Sequence, residues 1–333
     1  IILRRAMENE LLVAEKAVRE AMGLCRVVQA GIVPSVLEKA DRSPVTIADF
    51  GSQALVCRSL AESFPDDPVV GEEDAAKLRQ PEQTEFLDRV IRVLASQGVT
   101  AGGDTVCDWI DRGDGVPCDR FWTLDPIDGT KGFLRGGQYA VALALIVAGR
   151  VEVAVLGCPG LGVVDGDGLV FSAIRGAGTR VSPASEPDDS RPVSVSDCTD
   201  VTRARLCESV ESGHSAHDRS SVIAESLGLQ SESVRMDSQA KYATVADGGA
   251  EMYLRLPVDA SYQEKIWDHA AGSLVVTESG GTVSDTFGAP LDFSQGRTLQ
   301  KNAGVVVSNG LLHEQIVAAV VSSETVRDHD DGH

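Results

Sequence analysis

Residues 120–156 read RFWTLDPIDGTKGFLRGGQYAVALALIVAGRVEVAVL. Three apolar runs of strand length lie in it, at 121–124, 139–147 and 151–156, and Gly149-Arg150 supplies a tight turn between the last two. The spacing predicts an antiparallel hairpin rather than a strand–helix–strand crossover, for which the connection is too short. The first strand ends in Asp125-Pro126-Ile127-Asp128-Gly129-Thr130, which carries two carboxylates three residues apart into a turn that opens a helix. Both acids then reach one point. Pro126 stiffens the turn, and the Gly129 and Thr130 amides are free donors of the kind that bind phosphate at a helix start. Two unit charges 4 Å apart cost about 4 kcal/mol at an effective dielectric of 20, so carboxylates and a phosphate meeting there require divalent cations between them. A turn in which Asp128 merely caps the helix is the ordinary alternative, and it leaves Asp125 without a purpose.

Outward from this stretch, apolar positions at three- and four-residue steps from Met7 to Val28 predict an amphipathic helix. A second helix is expected from Thr46 to Phe64, opened by the capping-box pattern Thr46-Ile47-Ala48-Asp49 and closed by Pro65. Val69-Val70 lead into the acidic turn Gly71-Glu72-Glu73-Asp74. Residues 181–193 (VSPASEPDDSRPV) have the composition of a linker or edge loop. Beyond it, helices are expected at 220–227 and 268–279 and strands at 252–256 and 304–308, an α/β pattern. The polar tail from 324 to 333 is expected to be disordered. No internal repeat is visible.

Composition limits the possible partners. Lys and Arg number 30 against 50 Asp and Glu, a formal charge of −20, which repels nucleic-acid backbones and anionic lipid surfaces. The longest apolar stretch, 139–149, is too short to span a membrane. Seven single Cys without CxxC spacing point to a reducing interior and against a zinc cluster, hence a cytoplasmic protein, with an organellar leader before Ile1 left open. The sequence contains no GxGxxG, GxxxxGK[ST] or HExxH pattern.

Three further acids fit the Asp125/Asp128 cluster, each with an ordinary alternative. Glu72 follows a short strand whose end would aim it at a site, or it belongs to a solvated turn. Asp268 opens a helix and Asp49 sits in a capping box, either of which accounts for an acid by itself.

In combination, SPVTIAD (43–49), GEED (71–74), WTLDPIDGTKGF (122–133) and WDHAAG (267–272) resemble, in order and separation, the lithium-sensitive, magnesium-dependent phosphatases of the inositol-monophosphatase superfamily. DPIDGTKGFLRGGQYAVALA (125–144), DSQAKY (237–242) and SYQEKIWDHAAG (261–272) are similar to its 3′(2′),5′-bisphosphate nucleotidase branch. The resemblance implies a layered α/β sandwich of the inositol-monophosphatase and fructose-bisphosphatase type. An α+β domain with an antiparallel sheet would span 1–185, and an α/β domain bearing Asp268 and the nucleotide pocket would span 186–323. It implies that Glu72, Asp125, the Ile127 carbonyl, Asp128 and Asp268 bind two or three Mg²⁺, with Asp125 bridging two ions. Oxygen donors without thiolate or imidazole agree with Mg²⁺ rather than Zn²⁺.

It further implies that Asp49 orients the Thr130 hydroxyl and that the pair takes a proton from the attacking water. Gly129, Thr130, His214, Ser238, Lys241 and Arg255 would hold the substrate, adenosine 3′,5′-bisphosphate, which would be cleaved to AMP and phosphate. Its 5′-phosphosulfate analogue would be cleaved in the same way. Lys241 and Arg255 make sense as counter-charges that so acidic a chain must place deliberately. The other readings are a phosphatase of inositol 1,4-bisphosphate or inositol monophosphate, and a sensor that binds the nucleotide without turnover. The expected partner is this small molecule alone, bound by a monomer, with neither nucleic acid nor membrane. Lithium inhibition is expected from the resemblance only.

Overall fold

The expected hairpin forms the centre of a seven-stranded sheet. The computed structural model describes residues 7–31, 36–38, 44–162, 167–210, 217–257 and 262–330. The hairpin strands are β5 (Ala140–Val147) and β6 (Arg150–Cys158). Their turn is Ala148-Gly149, one residue earlier than the sequence spacing suggests. Both residues have positive φ, 49° and 73°, the backbone twist that suits a two-residue hairpin, and Arg150 already pairs with Val147.

Around the hairpin lie β3 (Val69–Gly71), β4 (Arg120–Asp128), β7 (Leu169–Ile174), β8 (Gly178–Pro183) and β9 (Arg191–Pro192), in the order β3-β4-β5-β6-β7-β8-β9. Every neighbouring pair is antiparallel except β3 and β4, which run parallel. The 181–193 stretch is therefore the end of β8, a loop and the short edge strand β9 of the same sheet. The change to the second sheet comes after Pro192.

Alternation sorts this sheet's side chains between two cores. Val141, Leu143 and Leu145 join the core under α1 (Glu8–Ala30) and α2 (Ile47–Ser63), while Ala140, Ala142, Ala144 and Ile146 face the opposite side. Small residues on that second face admit α7 (Ala240–Ala246) and α8 (Ala270–Glu278) close to the sheet. These helices are covered in turn by a five-stranded sheet. It is built from β10 (Leu206–Glu208), β11 (Val234–Arg235), β12 (Met252–Arg255), β13 (Thr282–Ser284) and β14 (Val305–Ser308), in the order β11-β10-β12-β14-β13. Alternation recurs in it: Val305 and Val307 join the shared core, and Val306 turns to the outer one beneath α6 (His217–Ser226) and α9 (His313–Asp330). The result is five layers, helix, sheet, helix, sheet, helix.

Further described elements include α3 (Thr84–Ser96), α4 (Gly103–Asp111), the short α5 (Thr130–Leu134) and the ribbon of β1 (Val36–Glu38) with β2 (Pro44–Thr46). Helix α9 continues to Asp330, past residue 324, where a disordered tail was expected. No Gly or Pro interrupts 313–330, so nothing in the local sequence stops the helix. Among the described residues no helix is long and apolar enough to cross a membrane, and all seven Cys are free.

Candidate active site

The parallel pairing of β3 and β4 decides where the acids go. Gly71 lies opposite Leu124, so Glu72 and Asp125 leave the sheet side by side at the same end. One step further, β4 gains a residue relative to β5: Asp125 pairs with Ala142 and Asp128 with Ala140. The bulge holds Pro126 and Ile127, where a missing N–H costs no ladder bond. Asp125 Oδ1 accepts the Ile127 amide at 3.1 Å, and the Ser52 hydroxyl on α2 donates to the Pro126 carbonyl at 2.9 Å. The chain then turns at Gly129, whose φ of 86° favours glycine and whose position leaves a Cβ only 3.0 Å from Ser238 Cβ.

Helix α2 opens as the capping-box pattern predicts. Thr46 donates to Asp49 Oδ2 through its backbone N–H at 2.7 Å and its hydroxyl at 2.6 Å, and Thr46 Oγ1 accepts the Ala48 amide. This leaves Asp49 Oδ1 to accept from the Thr130 hydroxyl at 3.3 Å; that hydroxyl also lies 3.3 Å from the Ile127 carbonyl. Asp49 is fully buried. Capping and the contact to Thr130 are thus two uses of one carboxylate, one for each oxygen.

The turn bearing Glu72 is pinned by Gln53, itself fully buried, whose carboxamide donates to the Glu73 carbonyl and accepts the Glu73 amide at 3.1 Å. From the second sheet's side, Arg297 donates to the Gly71 carbonyl at 2.7 Å and lies over the Trp267 ring. Asp268 ends a 3-10 turn, Ile266–Asp268, and α8 begins two residues later with His269 at its N-cap position. Asp268 is therefore not the helix cap that its sequence position offers as an alternative.

Electrostatics ties these segments together. Burial, and then the charge of Asp128, push the Asp268 carboxyl well up; Glu72 and Glu264 add to this and Arg255 opposes it. Asp128 is likewise pushed up, first by burial and also by Glu72, against Lys241, the Gln239 amide and Arg255. Glu72, Asp128 and Asp268 therefore share one field. Its surplus of negative charge and its hard oxygen donors suit a divalent cation of the Mg²⁺ or Ca²⁺ kind.

Among the described residues a different trio, Glu264, Asp268 and His269, brings its ligand atoms within 4.8 Å of one another. Hydrogen bonding argues against it as an ion site. His269 uses Nδ1 on the Tyr242 hydroxyl at 2.7 Å and Nε2 on Glu264 at 3.1 Å, and Glu264 also pairs with Arg255 at 3.2 Å. Only Asp268 of the three keeps a carboxylate for an ion.

Of the expected substrate residues, Lys241 is buried on α7, donates to Ser209 at 3.3 Å and lies 5.1 Å from the Tyr253 ring centroid. Burial lowers its pKa against the pull of Asp128. Arg255 is held well above its ordinary value because Glu264, Tyr253 and Asp268 outweigh the cost of burial. Ser238 has a left-handed φ of 68° and packs against Gly129. The structure thus gathers Asp49, Glu72, Asp125, Ile127, Asp128, Gly129, Thr130, Ser238, Lys241, Arg255 and Asp268 around the end of β4. His214 lies outside the described residues. Gln53, Gln239, Glu264 and His269 were not singled out from sequence, although the last three stand inside the motifs that carried the resemblance.

A family model described as the inositol monophosphatase family matches residues 3–325. A 3′(2′),5′-bisphosphate nucleotidase of Emericella nidulans is 43% identical, the match covering 94% of this chain and 97% of that protein. One from Schizosaccharomyces pombe is 41% identical, with 95% of each chain covered. Another, from Arabidopsis thaliana, is 42% identical over 96% of this chain and 97% of its own. Among solved structures, an IMPase of Thermotoga maritima superposes with a TM-score of 0.67 at 20% identity, covering 95% of this chain and 98% of that one. An inositol monophosphatase from Anabaena gives 0.62 at 19% identity, covering 95% and 97%. At such identity the structural likeness speaks for the layered fold alone.

Proposed function

The chain belongs to the inositol monophosphatase family, and on that premise we propose that it is a Mg²⁺-dependent phosphatase that removes the 3′-phosphate of adenosine 3′,5′-bisphosphate. AMP and phosphate are the products, and the 5′-phosphosulfate analogue is a second substrate. Relatives at 41–43% identity bearing the bisphosphate nucleotidase name support the substrate class. The observation that carries the chemistry is the hydrogen bond from Thr130 to Asp49 beside the Asp125–Asp128 bulge.

Glu72, Asp125, the Ile127 carbonyl, Asp128 and Asp268 are the residues that would hold two or three Mg²⁺. Bound there, the metal neutralises charge on the phosphoryl group and makes a water more acidic. Asp49 has one oxygen committed to Thr46, which turns its other oxygen toward the Thr130 hydroxyl to receive its proton. A water placed against Thr130 Oγ1 passes its proton to that oxygen as Thr130 passes its own to Asp49, a general-base relay. The Gly129 and Thr130 amides accompany the cleaved phosphate. Ser238, Lys241 and Arg255, with His214, take the nucleotide. Lys241 and Arg255 offset the substrate's second phosphate in a chain of charge −20.

Steady-state phosphate release from adenosine 3′,5′-bisphosphate, its 5′-phosphosulfate analogue and inositol 1,4-bisphosphate, with and without Mg²⁺, tests the reading. The two nucleotides are expected to lead by kcat/KM, and no turnover is expected without the metal. Preference for the inositol phosphate overturns the substrate. Binding of the nucleotide with no phosphate released at saturating Mg²⁺ overturns the activity.

A further inference from the structure

Gln239 belongs to neither the expected ligands nor the expected substrate contacts, yet it touches both halves of the acidic cluster. Its backbone N–H donates to Asp128 Oδ2 at 2.6 Å. Its side chain, almost completely buried, donates from Nε2 to the Trp267 carbonyl at 2.9 Å and accepts the Gly272 amide on Oε1 at 3.2 Å. Those two groups bracket the turn that carries Asp268. One residue therefore joins the end of β4 to a segment 140 positions further along the chain.

We propose that Gln239 is a positioning residue for the divalent-cation site, a neutral brace that holds the Asp128 and Asp268 carboxylates at a fixed separation. The inference rests on the metal-ligand reading given under the proposed function. Two partly buried carboxylates repel, so their separation has to be held by the groups around them. A carboxamide can offer a donor to a carbonyl and an acceptor to an amide at once, whereas a carboxylate or an ammonium group of similar length supplies one half of that pair. The preceding residue supports the same geometry. Ser238 adopts its left-handed φ of 68°, a conformation unfavourable for a non-glycine residue, and the kink aims the Gln239 N–H at Asp128. Asp237, one residue earlier, pairs with Arg135 just beyond α5, so the segment is moored to the β4 side at two points.

The test is Mg²⁺ binding by titration calorimetry on the full chain for wild type, Gln239→Leu and Gln239→Met. Phosphate release is measured in parallel across Mg²⁺ concentrations. Loss of an outer hydrogen-bonding partner typically weakens metal binding by about 10–100-fold. We expect at least the lower end of that range in both assays, with KM for the nucleotide little changed at saturating Mg²⁺. Gln239→Met keeps length and volume and serves if Gln239→Leu does not fold. A lowered melting temperature with Mg²⁺ affinity within twofold of wild type makes Gln239 a purely structural residue and overturns the proposal. Asp268→Asn separates the two levels of inference. If it binds Mg²⁺ as wild type does, the ligand reading fails; if it loses Mg²⁺ while the Gln239 variants do not, only the brace fails.

Discussion

Thr130 holds its hydroxyl at the same 3.3 Å from two acceptors, Asp49 Oδ1 and the Ile127 carbonyl. Both bonds are long for an O–H donor, so the proton is not locked in place and can follow the approach of a water. Thr130→Ala is therefore expected to lower kcat by about 10²–10⁴ with Mg²⁺ affinity retained, and Thr130→Ser to keep most of it. Phosphate release at saturating substrate reads both variants, and equal activity in the Ala variant would move the base elsewhere. Lys241 makes the complementary case. It is buried, its own pKa is lowered by burial, and it faces Asp128 across the cluster, so its positive charge serves whatever anion enters. Lys241→Ala should raise KM for adenosine 3′,5′-bisphosphate while calorimetric Mg²⁺ affinity holds; a fall in metal affinity instead would place Lys241 in the metal site's own support.

The capping box shows how one element serves stability and chemistry together. Thr46 engages one oxygen of Asp49 and so turns the other toward Thr130. Loss of such a cap costs about 0.5–2 kcal/mol. Thr46→Ala should lose that much stability and a comparable part of kcat together, whereas Thr46→Ser should keep both. Denaturant melts and turnover on the same preparations check it, and loss of stability with unchanged kcat would detach the cap from the chemistry. This helix was legible in the sequence almost to the residue, because capping boxes and a following proline are local signals. The β5–β6 hairpin was legible for the same reason, apart from a one-residue shift of its turn. The Asp125–Asp128 bulge could be read only as two acids near a turn, since a bulge is defined by the partner strand. Gln239 and Glu264 stood inside quoted motifs without a role, because what they do depends on partners that neither spacing nor periodicity reveals. For Gln239, Asp128 is 111 residues away.

At the scale of the molecule, five layers bring the ends of β4 and of the turn before α8 to one place, and a buried chain of hydrogen bonds runs from that place into the shared core. It passes from Arg255 to Glu264, His269 and Tyr242. Burial by itself would raise the Glu264 carboxyl, but the hydrogen bond and charge of His269 and the charge of Arg255 outweigh it, and the pKa falls from 4.5 to about 2. An acid whose pKa is depressed by folding contributes stability that is fully present above its unfolded value and is lost as pH falls through its folded value. The window is therefore pH 4.5 down to about 2. The contribution at neutral pH is on the order of 3 kcal/mol. Whole-protein stability in that window is a poor readout, because protonating other carboxylates relieves self-repulsion in a chain of charge −20. The difference between wild type and Glu264→Gln removes that common background. Urea unfolding of the two proteins without Mg²⁺ should give a wild-type advantage that is constant from neutral pH to about 4.5 and shrinks steadily toward pH 2. Parallel curves throughout would mean that Glu264 carries no net charge coupling, and that Arg255 is held toward the site by packing rather than by its carboxylate partner.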